Sequence, residues 1–99
     1  MVRINIIYDD VYDDVDIIEI PQNLLCRLDS IVRDFLEWKH KAPADDKDYW
    51  TVINGRTCSV LETEGFVKWL NITYCNGEDK AIIVKQHTDY CPTYESIEF

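Results

Sequence analysis

The sequence predicts a single α+β domain, residues 1–99, with a mainly antiparallel sheet, two helices and the element order β-β-α-β-β-α-β-β. Three observations carry this prediction. Short apolar or alternating segments recur along the chain, two longer segments repeat apolar residues every three or four positions, and an Asn-Gly pair separates two strand-like segments. A chain of 99 residues that is 46% hydrophobic has material for one packed core.

The first two predicted strands flank a cluster of aspartates. Residues 2–8 alternate, with Arg3 and Asn5 on the solvent side of a half-buried strand. A second strand covers about residues 14–20, where the adjacent pair Ile17 and Ile18 indicates either a bulge or burial of both faces. The aspartates between these strands are therefore interpreted as a loop, or as the frayed ends of a hairpin.

A helix follows from Pro21, a residue that suits the first helical turn. Apolar residues recur at spacings of three and four from Leu24 to Leu36, and residues 39–41 place positive charge at the helix C-terminus, where the helix dipole favours it. The helix should end before Pro43. Cys26 falls opposite the apolar stripe and is expected to be exposed, and residues 42–48 are expected to form a polar loop.

The second half repeats the order of hairpin and helix. Asn54-Gly55 between residues 49–53 and 56–61 predicts a two-residue hairpin turn, because both turn positions need positive φ. A shorter helix is predicted over residues 63–73, and a turn over residues 75–78. Residues 81–84 have no polar face and are expected to form a central strand. Residues 95–99 alternate and form the last predicted strand.

Charge excludes several classes of partner. The chain carries 19 acidic and 10 basic side chains, a net charge of −9. Nucleic acid and anionic membrane surfaces are therefore disfavoured as direct partners. There is no secretory pattern and no apolar run of roughly 18 residues. The four cysteines stand singly and are expected to be reduced, so we expect a cytoplasmic protein.

No motif names a reaction, and we predict no enzyme, metal or cofactor. The cysteines and histidines lack the spacing of zinc sites, and the aspartates lack the alternation and central glycine of a calcium-binding loop. His87, Asp89 and Cys91 lie close together in sequence and could supply a thiol and a base. Partners in such catalytic sites are usually distant in sequence, so a structural interpretation is favoured.

The candidate binding site is the acidic segment at the first turn. Crowded carboxylates repel one another unless a cation, a basic partner or solvent takes up their charge. Tyr12 stands among them, where burial of its ring is difficult, and is expected to anchor a partner. The predicted partner-binding residues are Asp9, Asp10, Tyr12, Asp13, Asp14 and Asp16.

These features favour a small acidic binding protein that docks on a basic protein surface, such as that of a nucleic-acid-binding enzyme or a toxin. In size, acidity and lack of catalytic motifs the chain is similar in general character to nucleic-acid-mimic inhibitors from phages and mobile elements, such as anti-restriction and anti-CRISPR proteins, and to immunity proteins. The alternative is an accessory or housekeeping domain whose acidity only keeps it soluble. The oligomeric state stays open.

Overall fold

The computed structural model describes residues 1–41, 49–59, 62–75 and 79–99. These residues form two helices and six strands, which confirms the α+β class. The strands are β1 (Val2–Tyr8), β2 (Val11–Ile20), β3 (Trp50–Ile53), β4 (Arg56–Ser59), β5 (Ile82–Thr88) and β6 (Glu95–Glu98). The helices are α1 (Leu28–Lys41) and α2 (Thr63–Thr73). A 3₁₀ helix, Gln22–Arg27, occupies the positions predicted as the first turns of the first helix.

The six strands form two sheets, not the single mainly antiparallel sheet that the sequence suggested. The main sheet has the order β5-β2-β1-β6, and its β1–β6 pair is parallel. Strands β3 and β4 form a separate antiparallel hairpin. The sheet is mixed because the chain crosses the main sheet between β5 and β6, which lets β6 return alongside β1.

One face of the main sheet packs against both helices. Ile4 and Ile18 are paired across β1 and β2 and are fully buried there. The aromatic rings of Phe35 from α1 and of Phe66 and Trp69 from α2 meet above this face, with centroids about 5 to 6 Å apart. Edge-to-face, tilted and stacked contacts of this kind add to the free energy gained from burying the rings.

The opposite face of the sheet is also covered, which the alternation in residues 2–8 did not predict. Asn5 was expected on a solvent side, but its side chain is fully buried. Its amide nitrogen donates to the Cys91 carbonyl at 2.9 Å and to the Ser96 hydroxyl at 3.2 Å, and its amide oxygen accepts from the Cys91 N–H at 3.1 Å. The segment 89–94 therefore crosses this face, and Ile7 and Ile17, which share it, are buried.

One further expectation is corrected, one is confirmed, and two concern residues that the structure does not describe. Strand β5 lies at an edge of the sheet and Ile82 is 51% exposed, so the prediction of a central strand over residues 81–84 was wrong. The residues predicted as polar loop, 42–48, and most of the predicted turn, 76–78, lie outside the described residues. All four cysteines are described and none forms a disulfide, as predicted.

The Asn54-Gly55 hairpin turn is confirmed, with φ of 52° and 77°. The predicted second helix, residues 63–73, coincides with α2. Neither described helix has the length and apolar character needed to cross a bilayer.

Candidate functional site

The aspartate cluster begins at a tight turn between β1 and β2. Asp9 and Asp10 both have positive φ, 52° and 58°, the geometry of the two-residue turns that match strand twist. Aspartate tolerates this conformation better than most residues that are not glycine. The Asp9 N–H donates to the Phe99 carbonyl at 3.2 Å, so the turn is tied to the end of β6. Both aspartate side chains are exposed.

The next aspartates lie in strand β2, which favours the hairpin-end alternative over the loop alternative for this part of the cluster. Strand β2 begins at Val11, but its pairing with β1 shifts between the partners Ile6–Asp16 and Tyr8–Val11. Between these two pairs β1 has one residue and β2 has four, so β2 contains three extra residues. A bulge of this kind bends the strand and redirects its side chains. Asp13 and Asp14 are exposed on this bent part of β2.

Tyr12 is 47% exposed, as its surroundings in the sequence predicted. Its ring meets that of Tyr90 edge-to-face, with centroids 5.4 Å apart. Its hydroxyl donates to a Glu98 carboxylate oxygen at 3.0 Å, and this bond raises the pKa of Tyr12. The Tyr12 side chain is therefore held in place before a partner binds, which reduces the conformational entropy lost on binding.

Asp16 differs from the other five predicted residues because it is buried, with only 8% of its surface exposed. One carboxylate oxygen accepts a short hydrogen bond from the Thr63 hydroxyl, and the other accepts the His87 N–H at 3.1 Å. The Tyr8 hydroxyl lies 2.6 Å from the Thr63 oxygen. Because the Thr63 hydroxyl donates its one proton to Asp16, the Tyr8 hydroxyl is the donor in the bond between Tyr8 and Thr63.

The Asp16 bonds stabilise a bulge in β5. Between the pairs Val15–Thr88 and Ile17–Lys85, one residue of β2 faces two of β5. The extra residue, His87, has a φ of 55°, which is unfavourable for a residue with a side chain. Its N–H is satisfied by the Asp16 carboxylate rather than by a strand partner. Asp16 thus has a structural role that its sequence context did not indicate.

Asp16 and His87 line a cavity of about 480 Å³ at the end of the main sheet, next to the first turn of α2. Helix N-termini carry a partial positive charge that favours nearby carboxylates. The lining combines residues from β1, the turn, β2, the N-cap and first turn of α2, and β5: Tyr8, Asp9, Val11, Asp14, Asp16, Glu62, Thr63, Glu64, Gln86 and His87. Five of these are acidic, and His87 is the one basic side chain among the described lining residues.

Hydrogen bonds and burial shift the pKa of three lining groups. The Asp14 carboxylate lies 2.8 Å from Nδ1 of His87 and raises the pKa of that imidazole. The Gln86 amide donates to Glu64 at 2.5 Å and lowers the pKa of that carboxyl. Burial raises the pKa of Tyr8 to about 12, so its hydroxyl keeps its proton at neutral pH.

The carboxylates of this end form one surface, which we call the acidic end. It comprises exposed acidic residues from the turn, the start of β2, the first turn of α2 and the ends of β5 and β6, namely Asp9, Asp10, Asp13, Asp14, Glu62, Glu64, Asp89 and Glu98. Sequence reasoning found the first four and missed the last four. Glu62 and Glu64 flank Thr63, the predicted helix start, but their approach to β2 depends on tertiary packing.

The structure does not bring the sequence-adjacent thiol and imidazole together as a catalytic pair. His87 lines the cavity on the helix-packed side of the sheet, where its ring is bound to Asp14. Cys91 lies across the other face, where its N–H donates to Asn5. The thiol lies 3.3 Å from the Thr93 hydroxyl, which lowers the pKa of Cys91. Within the described residues, no three acidic, histidine or cysteine side chains converge as metal ligands.

No protein-family model, curated protein or solved structure matches this chain. The functional argument therefore rests on the geometry and charge of the acidic end.

Proposed function

We propose that this protein is a small acidic binding protein whose acidic end docks on a basic surface of a larger intracellular protein. The observation that carries the proposal is that eight exposed carboxylates come from four parts of the chain that meet at one end of the main sheet. Like charges held this close oppose folding unless something favourable accompanies them. A basic partner surface supplies that compensation.

Three features at this end of the molecule suit a protein partner better than free solvent. The exposed carboxylates create a field that speeds encounter with a basic surface, and the cavity offers space for a lysine or arginine side chain beside Asp9 and Asp14. The half-exposed ring of Tyr12 lies at the same end and supplies short-range contact. This end of the molecule thus offers carboxylates that attract a basic surface, an aromatic ring that contacts it, and a cavity that can receive one of its side chains.

The most suitable basic surface is one built to bind nucleic acid, where carboxylates replace phosphates. The protein would then act as a nucleic-acid-mimic inhibitor of the anti-restriction, anti-CRISPR or immunity-protein type, without catalysis of its own. A matched pair of variants tests this. Asp9→Asn with Asp13→Asn removes two charges from the acidic end, and Glu37→Gln with Asp79→Asn removes two exposed charges elsewhere.

The wild-type chain, immobilised and exposed to host lysate at about 0.15 M salt, should capture a nucleic-acid-binding enzyme and inhibit it in competition with its nucleic acid. The acidic-end variant should associate about threefold to tenfold more slowly with that enzyme at low salt, and the difference should shrink as salt rises. The Glu37/Asp79 variant should behave like the wild type.

Tyr12→Ala tests the contact rather than the charge. The dissociation rate should rise with little dependence on salt, because an anchoring ring acts at short range. If Tyr12→Ala and the variant with Asp9→Asn and Asp13→Asn both capture and inhibit the enzyme as well as the wild type, the acidic end is only a solvated surface. The accessory-domain alternative, in which acidity serves solubility, would then replace the proposal.

A further inference from the structure

Among the described strands, β6 lies at the edge of the main sheet and pairs on one side only, with β1. Phe99 donates its N–H to Ile7 and accepts from Asp9, so both of its backbone groups face β1. Backbone groups along a strand alternate in direction, so those of Ile97 also face β1, in agreement with its pairing to Ile6. The N–H and C=O groups of Ser96 and Glu98 therefore point away from the sheet.

A groove of about 580 Å³ runs beside this unpaired edge, between β6 and the first turns of α1. Leu28 and Val32 of α1 contribute half-buried apolar side chains to its wall. An open strand edge next to apolar side chains is the arrangement by which proteins bind extended segments. The backbone supplies hydrogen bonds, and the wall accepts every second side chain of the added strand.

The charge of the groove indicates what kind of strand fits. Asp29, Glu95 and Glu98 line it and are exposed, and the described lining residues include no lysine, arginine or histidine. A basic extended segment complements these carboxylates. A second copy of this chain does not, because pairing β6 with itself brings two sets of the same glutamates within one short strand, and like charges across strands are destabilising.

The groove is continuous with the acidic end. Glu98 lines the groove and also accepts the hydrogen bond of Tyr12, the residue expected to anchor a partner. Tyr90, which packs on Tyr12, lines the groove as well. A partner seated on the acidic end can therefore extend a segment along β6 without leaving the protein surface.

We propose that an extended basic segment of the partner protein adds to β6 as the next strand of the main sheet. This inference rests on the proposed function and names how the partner is held. Backbone groups of Ser96 and Glu98 form the new ladder, Leu28 and Val32 receive apolar side chains, and Asp29, Glu95 and Glu98 pair with basic ones. A binding mode based on the backbone tolerates variation in the partner sequence, and the carboxylates select against acidic strands.

Two variants of one residue separate the backbone from the charge. Glu98→Pro removes an outward N–H, and proline is tolerated at an edge strand where that N–H faces solvent. Glu98→Gln removes the same charge but keeps the N–H and an oxygen for Tyr12. The probe is a capped peptide in which lysine and valine alternate, and the control peptide replaces each lysine with glutamate. Binding is followed through the amide NMR signals of the whole chain.

With the wild type, the lysine peptide should shift the Ser96 and Glu98 amide signals and slow the exchange of both protons, and the glutamate peptide should do neither. Glu98→Gln should retain these effects at reduced affinity. Glu98→Pro should bind at least about fivefold more weakly than Glu98→Gln, because it loses one backbone hydrogen bond and also the acceptor of the Tyr12 hydroxyl. Unchanged signals of the α1 and β1 core residues would show that the proline variant is folded.

Other outcomes overturn the inference in distinguishable ways. Shifts confined to residues around the cavity, such as Thr63 and His87, would leave docking of a basic surface intact but remove strand addition. Equal affinities of the proline and glutamine variants would do the same, and so would the absence of lysine-peptide binding. Protected Ser96 and Glu98 amides in a dimer of the free protein would assign the edge to a second copy.

Discussion

At the scale of single residues, the acidic segment contains two kinds of aspartate. Asp13 projects into solvent, whereas Asp16, three positions later, is buried and accepts bonds from α2 and from the β5 bulge. Charge alone does not distinguish them. The distinction decides which substitutions probe binding and which disturb the fold.

Asp16→Asn should lower the free energy of unfolding by about 1 to 3 kcal/mol, because an amide offers one accepting oxygen and turns a donor toward Thr63 or His87. Thr63→Val should have a similar effect by leaving a buried carboxylate oxygen without its donor. Asp13→Asn is the matched control and should change stability by less than about 0.5 kcal/mol. Urea denaturation measures all three, and equal stability of Asp16→Asn and Asp13→Asn would contradict the structural role.

The His87–Asp14 pair should make the His87 titration depend on one carboxylate. Because Asp14 raises the pKa of folded His87, the pair contributes stability below the unfolded-state value near 6.5, and this contribution is lost as pH rises through the folded pKa. Asp14→Asn should lower the His87 pKa in an NMR titration of the imidazole signals. Asp13→Asn should leave it unchanged. The same His87 pKa in both variants would show that the ion pair does not form in solution.

At the scale of elements, local signals specified some parts of the fold and tertiary context specified others. Residues 63–73 and the Asn54-Gly55 turn were predicted because periodicity and turn chemistry act over a few residues. Strand β5 was misplaced because an apolar run shows neither how many neighbours a strand has nor whether both of its faces are covered, and Ile82 is 51% exposed. The burial of Asn5 depends on Cys91, 86 positions away, which no local pattern can reveal.

The hairpin of β3 and β4 provides an element-scale test. Gly55 has a φ of +77°, and a Cβ built there meets no atom within 4 Å, so any cost of substitution comes from the backbone. Gly55→Val should destabilise the turn by about 1 to 3 kcal/mol. Asn54→Gly, which also allows positive φ, should be nearly neutral. Amide exchange of Ile53 and Arg56, the hydrogen-bonded pair that flanks the turn, measures it directly, and unchanged exchange in Gly55→Val would refute the assigned geometry.

At the scale of the whole molecule, the four thiols differ in burial and should therefore differ in reactivity. Cys26 is exposed, and the bond to Thr93 lowers the pKa of the partly exposed Cys91, which favours its reactive thiolate. Cys75 is 3% exposed, and burial raises the pKa of its thiol.

A thiol reagent should therefore modify Cys91 and Cys26 first in the native protein and Cys75 last, at a rate limited by unfolding. Mass spectrometry after digestion gives the order. In denaturant without reductant, four additions are expected, because all four thiols are free. Fewer additions would contradict the reduced state, and early labelling of Cys75 would contradict its burial.

The position of segment 89–94 has a consequence for how the chain acquires its structure during translation. The hairpin of β1 and β2 leaves the ribosome before residues 89–94, so one of its faces stays open to water until they arrive, and the Asn5 amide lacks its Cys91 partner before then. Long-range closure of this kind slows folding and prolongs exposure of Ile7 and Ile17. Nascent chains halted before Cys91 should therefore bind chaperones that recognise apolar strands, and release should coincide with emergence of the last strand.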